Sequence, residues 1–382
     1  MYLPDYKNSI LNLMASIAEG YGKKTDYPSL KGLNSEEIKK ADNVILIVLD
    51  GLGYEYLTRF GGESELKNHL KSRITSIFPA ATTSCVPAFL TGTSAGEHGM
   101  TGWYVFMKEV GMIVVPLRHQ TRFGDLSING KLDIKKLYNL RPFSNLLNVK
   151  SYCLNPKEFY NSPFNVAVKG RAKLLGYNGI KDMFGQIGQL AQKKGKKYVY
   201  AYHPCPDKLI HEYGNEHKRV LREFKKIDRE FKKMLEKMKG TNTIVIVTAD
   251  HGLLTVPKKK WIDTAKYPEL NKFLRIPMCG ESRLAYLYVK TGRAKEFEEF
   301  MRKKMSFCCD VIKSKDAIKQ GWFGRQTHHE LKNRIGDYMM IMKEDYGIKD
   351  FMIDADIEDQ HIGRHGGVSK EEVFVPLIIA KS

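Results

Sequence analysis

The sequence predicts an α/β protein, a doubly wound α/β/α sandwich with a mostly parallel central sheet. Four near-continuous apolar runs are typical of strands buried on both faces, and they are Val44–Leu49, Tyr198–Tyr202, Thr243–Thr248 and Val375–Ala380. Helical patterns lie between these runs, and such alternation favours a sheet with helices on both faces. A fifth apolar run, Tyr338–Met342, is expected in the same sheet.

The clearest helical segment is 216–239. Its apolar residues recur at spacings of three and four, and Gly240 provides a stop signal. Two segments, about 101–175 and 256–335, differ from the rest because they contain glycine, proline and aromatic residues with short strands such as Ala285–Val289. We expect a single catalytic domain over residues 1–382, in which these two segments are insertions that cap the substrate side of the sheet.

Composition sets bounds on the class of protein. The 382 residues include 62 Lys and Arg against 43 Asp and Glu, which gives a formal net charge of +19. A hydrophobic content of 42% excludes global disorder. The charge favours anionic partners such as phosphates, nucleotides, nucleic acid or an acidic membrane surface, and a lysine-rich solvated surface is the alternative.

The cysteines and the N-terminal residues bear on the compartment. Six cysteines are scattered without a CxxC pair, a pattern that predicts reduced thiols rather than a disulfide framework. Residues 1–6 lack the basic and apolar regions of a signal peptide. The longest apolar run, Asn43–Leu49, is too short to span a bilayer, which needs about 20 residues. We therefore expect a cytoplasmic protein without a membrane partner, and the sequence does not predict its oligomeric state.

Acidic and histidine residues follow the predicted strands or precede the last one, and they are Asp50, Asp207, His211, Asp250, His251 and His365. Ligands of open α/β sheets collect at the carboxyl ends of the strands, so we expect these side chains to face one crevice. Aspartate and histidine bind zinc and similar transition ions, and six such ligands suffice for two ions. Taken singly, each residue also has a structural explanation, such as a strand-end turn for Asp50.

Two adjacent threonines offer a nucleophile. They lie in the segment FPAATTSCVPAFLTG (78–92), where Thr82 or Thr83 is expected to cap a helix that runs toward Leu90. A hydroxyl there lies among free backbone N–H groups, which suit a phosphoryl oxygen. Coordination to a metal would make the hydroxyl a nucleophile, whereas the alternative is an ordinary threonine N-cap.

These motifs resemble the alkaline phosphatase superfamily, and most closely the bacterial type of its nucleotide pyrophosphatase/phosphodiesterase (type I phosphodiesterase) branch. The matching pieces occur in the family's order and span nearly the whole chain. They are VILIVLDGLG (44–53), SIFPAATTSCVPAFLTG (76–92), EHGMTGW (97–103), DKLIHEYG (207–214), TADHG (248–252) and HGGVSKEEVFVPLI (365–378).

The resemblance implies an alkaline phosphatase-like fold and a two-metal hydrolase with Zn²⁺ or Mn²⁺. It implies cleavage of phosphodiester or pyrophosphate bonds of nucleotides or similar small molecules through a phospho-threonine intermediate. One ion would be held by Asp207, His211 and His365. The other would be held by the nucleophile together with Asp50, Asp250 and His251.

The resemblance also places the nucleophile at Thr82, ten residues before Gly92, with Thr83 as the second choice. The backbone N–H of Thr83 is the expected second donor to the phosphoryl oxygen. His98 matches a His-Gly pair of the family and is expected to be structural. Two features argue against a sulfatase: no Arg stands two residues after Pro87, and Cys85 is in the wrong register from Gly92.

Two further residues are candidates for binding substrate. Trp103 is placed to stack on a nucleobase, with core or lid packing as the alternative, and Arg283 is a candidate substrate ligand with a structural ion pair as the alternative. On the same ligand set, the activity could instead be that of a phosphomonoesterase, a phosphonate hydrolase or a phosphotransferase. The remote alternative is a basic nucleic-acid-binding protein with a non-catalytic metal site. The sequence contains no nucleic-acid-binding motif, which argues against this alternative.

Overall fold

The structure, a computed structural model, describes residues 1–128, 132–350 and 361–382. Seven strands form its central sheet. In chain order they are β1 Asn43–Leu49, β2 Leu70–Thr75, β3 Lys150–Pro156, β4 Lys173–Tyr177, β5 Lys197–His203, β6 Thr243–Thr248 and β7 Phe374–Lys381. Across the sheet the order is β2-β7-β6-β1-β5-β3-β4.

The central sheet is mostly parallel, as predicted. Strand β1 lies parallel to β5 and β6, and β3 lies parallel to β5 and β4. Strand β7 runs antiparallel to both of its neighbours, β6 and β2. All seven residues of β1 are buried, because its apolar side chains are covered on both faces of the sheet. The four long apolar runs of the sequence are therefore confirmed as strands β1, β5, β6 and β7.

Helices lie between the strands. The α-helices of the described residues are Ile10–Gly20, Ser35–Lys40, Tyr54–Phe60, Glu65–Asn68, Thr82–Thr91, Ala95–His98, Ile134–Leu137, Phe143–Leu146, Pro163–Val168, Gly179–Ala191, Asp207–Tyr213, Lys218–Lys237, Pro268–Phe273, Ala294–Phe300, Ser314–Lys319, Leu331–Arg334 and Lys370–Val373. The predicted helix 216–239 is confirmed as Lys218–Lys237, whose N-cap is His217. Among the helices described, none is both long enough and apolar enough to cross a membrane.

Four smaller sheets lie outside the central sheet in the described residues. A four-stranded sheet contains, in order, Cys279–Glu281, Leu284–Leu287, Tyr338–Met342 and Cys309–Lys313. A three-stranded sheet contains Val105–Met107, Met112–Val115 and Gln120–Thr121. Two further pairs join Leu254–Thr255 to Gly363–Arg364, and Trp261–Asp263 to Gly347–Lys349.

The placement of Tyr338–Met342 in the central sheet is wrong. This strand pairs with Leu284–Leu287 and Cys309–Lys313, both antiparallel. Tyr338, Met340 and Met342 belong to a second hydrophobic core that includes Phe297, whereas Met339 and Ile341 face the main core. A continuous apolar run predicts burial on both faces but does not identify the sheet to which the strand belongs.

The boundaries expected for the insertions also need correction. The segment predicted as the first insertion, 101–175, contains the whole of β3 and most of β4. Both strands lie at one side of the sheet and are partly exposed, so they lack the continuous apolar pattern of the central strands. The second core continues beyond residue 335, to Ile348.

Candidate metal centre

Three aspartates lie together because three neighbouring strands end at one edge of the sheet. Asp50 follows β1, Asp250 follows β6, and Asp207 begins the helix after β5. The backbone N–H of Asp50 donates to the carbonyl of His203 at 2.9 Å, and that of Asp207 donates to the carbonyl of Asp50 at 2.9 Å. His365 lies in the loop that precedes β7. Because β7 is antiparallel to β6, the start of β7 and this loop lie at the same edge of the sheet as the end of β6.

The chain leaves β1 by a turn that only glycine accommodates. Gly51 has a φ of +74°, in the left-handed region. A Cβ on this residue would lie 2.7 Å from the Cβ of Asp207, which is far inside van der Waals contact. The Asp-Gly pair of the sequence therefore allows the Asp50 and Asp207 segments to lie against each other.

Asp50, Asp250 and His251 form the first candidate metal cluster, in which one ligand atom from each lies within 4.8 Å of the others. Nε2 of His251 is 3.5 Å from Oδ1 of Asp50 and 3.5 Å from Oδ2 of Asp250. The hydroxyl of Thr82 lies 3.0 Å from the same nitrogen. One hydroxyl, one imidazole and two carboxylates thus converge on a single point.

The carboxylates of this cluster fit a bound cation. Oδ1 of Asp50 and Oδ2 of Asp250 are buried and have no hydrogen-bond partner among the described residues. An uncompensated buried carboxylate is costly, and a cation removes that cost. Burial, followed by the charges of Asp250 and Asp207, raises the pKa of Asp50 well above its usual value. The other oxygen of Asp50 accepts a hydrogen bond from the hydroxyl of Tyr202.

A second group of ligands lies beside the first. Nε2 of His211 is 3.3 Å from Oδ1 of Asp207, and Nδ1 of His211 is 2.7 Å from the carbonyl oxygen of Gly363. The ring of His365 stacks on that of His251 with centroids 3.8 Å apart, and it lies 5.1 Å from the ring of His211. The structure therefore brings all six predicted metal ligands together, with His251 between the two groups.

The electrostatic environment suits metal binding by this second group. Burial opposes ionisation of Asp207, but the nearby His211 and His251 outweigh it and lower the pKa of the carboxyl. Burial and then the proximity of His251 lower the pKa of His365 well below its ordinary value. Neutral imidazole is the form that binds a metal ion, so His365 is held in the required state.

The two threonines differ in environment. The N-cap of the helix Thr82–Thr91 is Ala81, so the expectation that a threonine side chain caps this helix is wrong. Thr82 is the first helical residue, and its hydroxyl is directed to His251 rather than to the helix backbone. Thr83 is 1% exposed. Backbone N–H groups in the first turn of a helix have no partner within the helix and remain available to an anion.

Comparison with protein-family models matches residues 44–367 to the family described as Type I phosphodiesterase / nucleotide pyrophosphatase. The chain belongs to this family. Its members act on small phosphorylated substrates such as nucleotides, and the chain is accordingly a metal-dependent phosphoester hydrolase. No curated protein matches the sequence.

Solved structures with the same fold are known. Murine ectonucleotide pyrophosphatase/phosphodiesterase 5 has a TM-score of 0.65 and 17% identity, with 87% of each chain covered. An inactive threonine-to-alanine variant of that protein in complex with AMP has a TM-score of 0.64 and 18% identity over 87% of each chain. Phosphonoacetate hydrolase from Sinorhizobium meliloti 1021, in complex with phosphonoformate, has a TM-score of 0.60 and 17% identity over 89% of this chain and 90% of its own. These likenesses confirm the alkaline phosphatase-like fold of the chain.

A cleft of about 960 Å³ opens over the candidate metal ligands of this family member. Thr82, Thr83 and Trp103 line it, so the predicted nucleophile and the predicted aromatic contact face the same space. The guanidinium of Arg118 lies over the Trp103 ring, 5.1 Å from its centroid. Other basic side chains in the wall are Lys208, Lys349 and Arg364.

Arg283 does not line this cleft, and the structure shows for it the ion pair that was the alternative to substrate binding. It is 1% exposed, and its guanidinium makes two hydrogen bonds with the carboxylate of Glu372, at 3.2 and 3.1 Å. The same carboxylate accepts the backbone N–H of Gly367 at 2.8 Å. Arg283 therefore supports the loop of His365 through Glu372. His98 is fully buried, as expected for a structural residue, and it contacts the carbonyl of Ser84.

Sequence reasoning missed two residues at the site. Tyr202 bonds Asp50, but within an apolar strand it is indistinguishable from a core tyrosine. Glu281 accepts the backbone N–H of Trp103 at 2.7 Å, and burial is the main cause that raises its pKa to about 7. The only sequence signal for Glu281 is its place in the GESR segment that also contains Arg283.

Proposed function

We propose that the chain is a two-metal phosphodiesterase or nucleotide pyrophosphatase that acts on nucleotides or similar small molecules through a phospho-threonine at Thr82. The observation that carries this proposal is the position of the Thr82 hydroxyl. It lies 3.0 Å from His251, at a helix N-terminus, beside two buried carboxylate oxygens that have no hydrogen-bond partner among the described residues.

The proposed ligand sets follow the two groups of side chains. Asp207, His211 and His365 would hold one divalent ion, while Asp50, Asp250, His251 and Thr82 would hold the other. Mixed carboxylate and imidazole ligands suit Zn²⁺ and Mn²⁺. When bound, such ions act as Lewis acids that activate the coordinated hydroxyl and stabilise the attacking and leaving oxygens.

The chain's own groups account for the rest of the reaction. The oxygen of Thr82 forms a bond to phosphorus as the bond to the departing ester or phosphate oxygen breaks. Water then cleaves the phospho-threonine, which restores the hydroxyl and releases the phosphorylated product. The N–H groups of the first helical turn, including that of Thr83, face the negative charge of the phosphoryl oxygens.

The wall of the cleft supports an anionic substrate with an aromatic part. Trp103 offers a ring for a nucleobase, and Arg118 lies over that ring. Lys208, Lys349 and Arg364 add positive charge to the wall of the same cleft. Part of the +19 net charge thus lies in the cleft, where it would favour phosphorylated substrates. Residues from the segments 101–128 and 278–282 line the cleft, which supports the proposal that these segments contribute to a substrate-side cap.

A substrate comparison tests the proposed function. The purified protein is stripped with a chelator, reconstituted with Zn²⁺ or Mn²⁺, and assayed with bis-p-nitrophenyl phosphate, p-nitrophenyl phosphate and a nucleotide p-nitrophenyl ester. We expect metal-dependent cleavage, with the highest kcat/KM for the nucleotide ester and the lowest for the monoester. Thr82→Ala should lose at least about 1000-fold in rate, as for removal of a nucleophile. Thr58→Ala, a threonine outside the cleft, should behave like wild type.

Other outcomes would identify the alternatives. A preference for the monoester would indicate a phosphomonoesterase, and turnover of phosphonoacetate alone would indicate a phosphonate hydrolase. Transfer of the phosphoryl group to an added alcohol in preference to water would indicate a phosphotransferase. Turnover that is independent of added metal would contradict the proposal.

The state of the cysteines also bears on the compartment in which the protein functions. All six cysteines are free thiols. Reduced thiols are typical of cytosolic proteins, so we propose a cytoplasmic location. Cell fractionation tests it, and recovery of the protein only from an oxidising compartment would contradict it.

A further inference from the structure

Three metal-ligating side chains meet outside the centre described above. His203, the last residue of β5, Cys205 in the following turn, and Glu223 on the helix Lys218–Lys237 each place one ligand atom within 4.8 Å of the other two. None of the three belongs to the proposed catalytic ligand sets. Cys205 and Glu223 are partly exposed, so an ion could reach them from solvent.

The hydrogen bonds of His203 leave one nitrogen available for an ion. The hydroxyl of Tyr177 donates its single proton to the carbonyl oxygen of Tyr202 at 2.7 Å. Nδ1 of His203, 3.0 Å from the same hydroxyl, must therefore be the donor in that contact. In the neutral ring, which burial favours, the lone pair is then on Nε2.

The lone pair on Nε2 of His203 is buried and accepts no hydrogen bond from the described residues. His203 is 6% exposed, and its Nε2 has no hydrogen-bond partner in the part of the chain that the structure describes. A metal-ligating histidine commonly donates its other ring N–H to a neighbouring acceptor, as His203 does to Tyr177. The histidine is thus already in the tautomer and orientation that an ion requires.

The carboxylate of Glu223 has a competing partner. Both of its oxygens lie near the ammonium of Lys226, at 3.2 and 3.3 Å. The side chains of Lys226 and Glu223 are 47% and 19% exposed, and an ion pair that is open to solvent on the lysine side contributes little stability. An ion between Glu223, Cys205 and His203 can therefore replace Lys226 at small cost.

We propose that His203, Cys205 and Glu223 form a separate site for a thiophilic divalent ion such as Zn²⁺. Imidazole, thiolate and carboxylate are all zinc ligands, and three protein ligands leave the fourth tetrahedral position to water. Binding would release the thiol proton to solvent. Cys205 lies two residues before Asp207 in the chain, so an ion bound to Cys205 would also restrain the segment that positions this aspartate.

Cadmium titration tests this proposal, because cadmium bound to a thiolate has an ultraviolet charge-transfer band. The proposed catalytic centre contains no sulfur and does not contribute to that band. The probe is Cd²⁺ added to the full chain after treatment with a chelator. We expect a saturable band in the wild type, an amplitude smaller by the contribution of one thiolate in Cys205→Ser, and no change in Cys153→Ser, which removes a thiol elsewhere in the core.

A second variant keeps the test decisive if Cys205→Ser does not fold. His203→Gln retains the thiol and should weaken cadmium binding at least tenfold, as for the loss of one of three ligands. An unchanged amplitude in Cys205→Ser, or an unchanged affinity in His203→Gln, would overturn the proposal. Loss of the catalytic activity alone has no bearing on it, so the two proposals fail independently.

Discussion

The hydroxyl oxygen of Thr82 lies 3.0 Å from Nε2 of His251, although the two residues are 169 positions apart in the chain. Thr82 begins the helix Thr82–Thr91, and His251 follows strand β6, so two different elements of the fold create this contact. Each element also places a second group at the site. The helix offers its free N–H groups, and β6 offers Asp250, so the contact joins the anion-binding part of the site to the metal-binding part.

The first prediction concerns the buried charge of Asp50 in metal-free protein. Burial and its acidic neighbours raise the pKa of Asp50, so the folded protein binds this proton more tightly than the unfolded chain does. This contribution to the free energy of unfolding is present at low pH and is lost as the pH rises above the ordinary aspartate pKa, about 4, and through the raised value. At pH 7, metal-free Asp50→Asn should therefore melt a few degrees above metal-free wild type.

Thermal melts at pH 4 and pH 7 check this, with the difference between the two proteins expected to shrink at pH 4. The same substitution should reduce metal-dependent activity at least about 100-fold, since it removes a ligand charge. A destabilised Asp50→Asn in metal-free solution at pH 7 would show that Asp50 does not carry an uncompensated charge.

A second prediction concerns Trp103. If its ring stacks on a nucleobase, Trp103→Ala should raise KM for a nucleotide p-nitrophenyl ester about tenfold, because stacking on an aromatic ring contributes about 1–3 kcal/mol. KM for methyl p-nitrophenyl phosphate, which has no base, should change little. Trp103→Phe keeps a ring and serves as the matched control. Equal losses with both substrates would show that Trp103 only packs.

Arg283 is the subject of a third prediction. Arg283→Met leaves the buried carboxylate of Glu372 without its cation, which should cost about 3–5 kcal/mol in the free energy of unfolding. Metal affinity should also fall, because Glu372 holds the backbone of Gly367 beside His365. Denaturant unfolding and metal titration are the measurements.

Arg275→Met is the control for this variant, since its pair with Asp337 is half-exposed on both sides and should contribute less than about 1 kcal/mol. The double variant Arg283→Met with Glu372→Gln should regain much of the lost stability, because no buried charge remains unpaired. A raised KM with unchanged stability in Arg283→Met would contradict the structural role and favour contact with substrate.

The central sheet and the convergence of the six candidate metal ligands are accessible to sequence reasoning for one physical reason. Strands buried on both faces give continuous apolar runs, and the carboxyl ends of parallel strands meet at one edge. Asp50 and Asp250 each follow such a run within two residues, so their proximity in space follows from topology alone.

Features that depend on packing between distant segments escape the same reasoning. Strand Tyr338–Met342 has the apolar pattern of the central sheet yet pairs in the smaller one, because the pattern reports burial and not partners. The pair of Arg283 with Glu372 joins residues 89 positions apart, and no local pattern in the sequence indicates it. The meeting of His203, Cys205 and Glu223 likewise depends on how one helix packs beside the end of β5.

Direct detection of the phospho-threonine tests the central claim most sharply. Metal-loaded protein is mixed with a nucleotide p-nitrophenyl ester, quenched in acid within the first turnover, digested, and analysed by mass spectrometry. We predict a nucleotidyl or phosphoryl adduct on Thr82 that is present in the wild type and in Thr83→Ala and absent in Thr82→Ala. An adduct on Thr83, or full turnover by a folded, metal-loaded Thr82→Ala protein, would contradict the account.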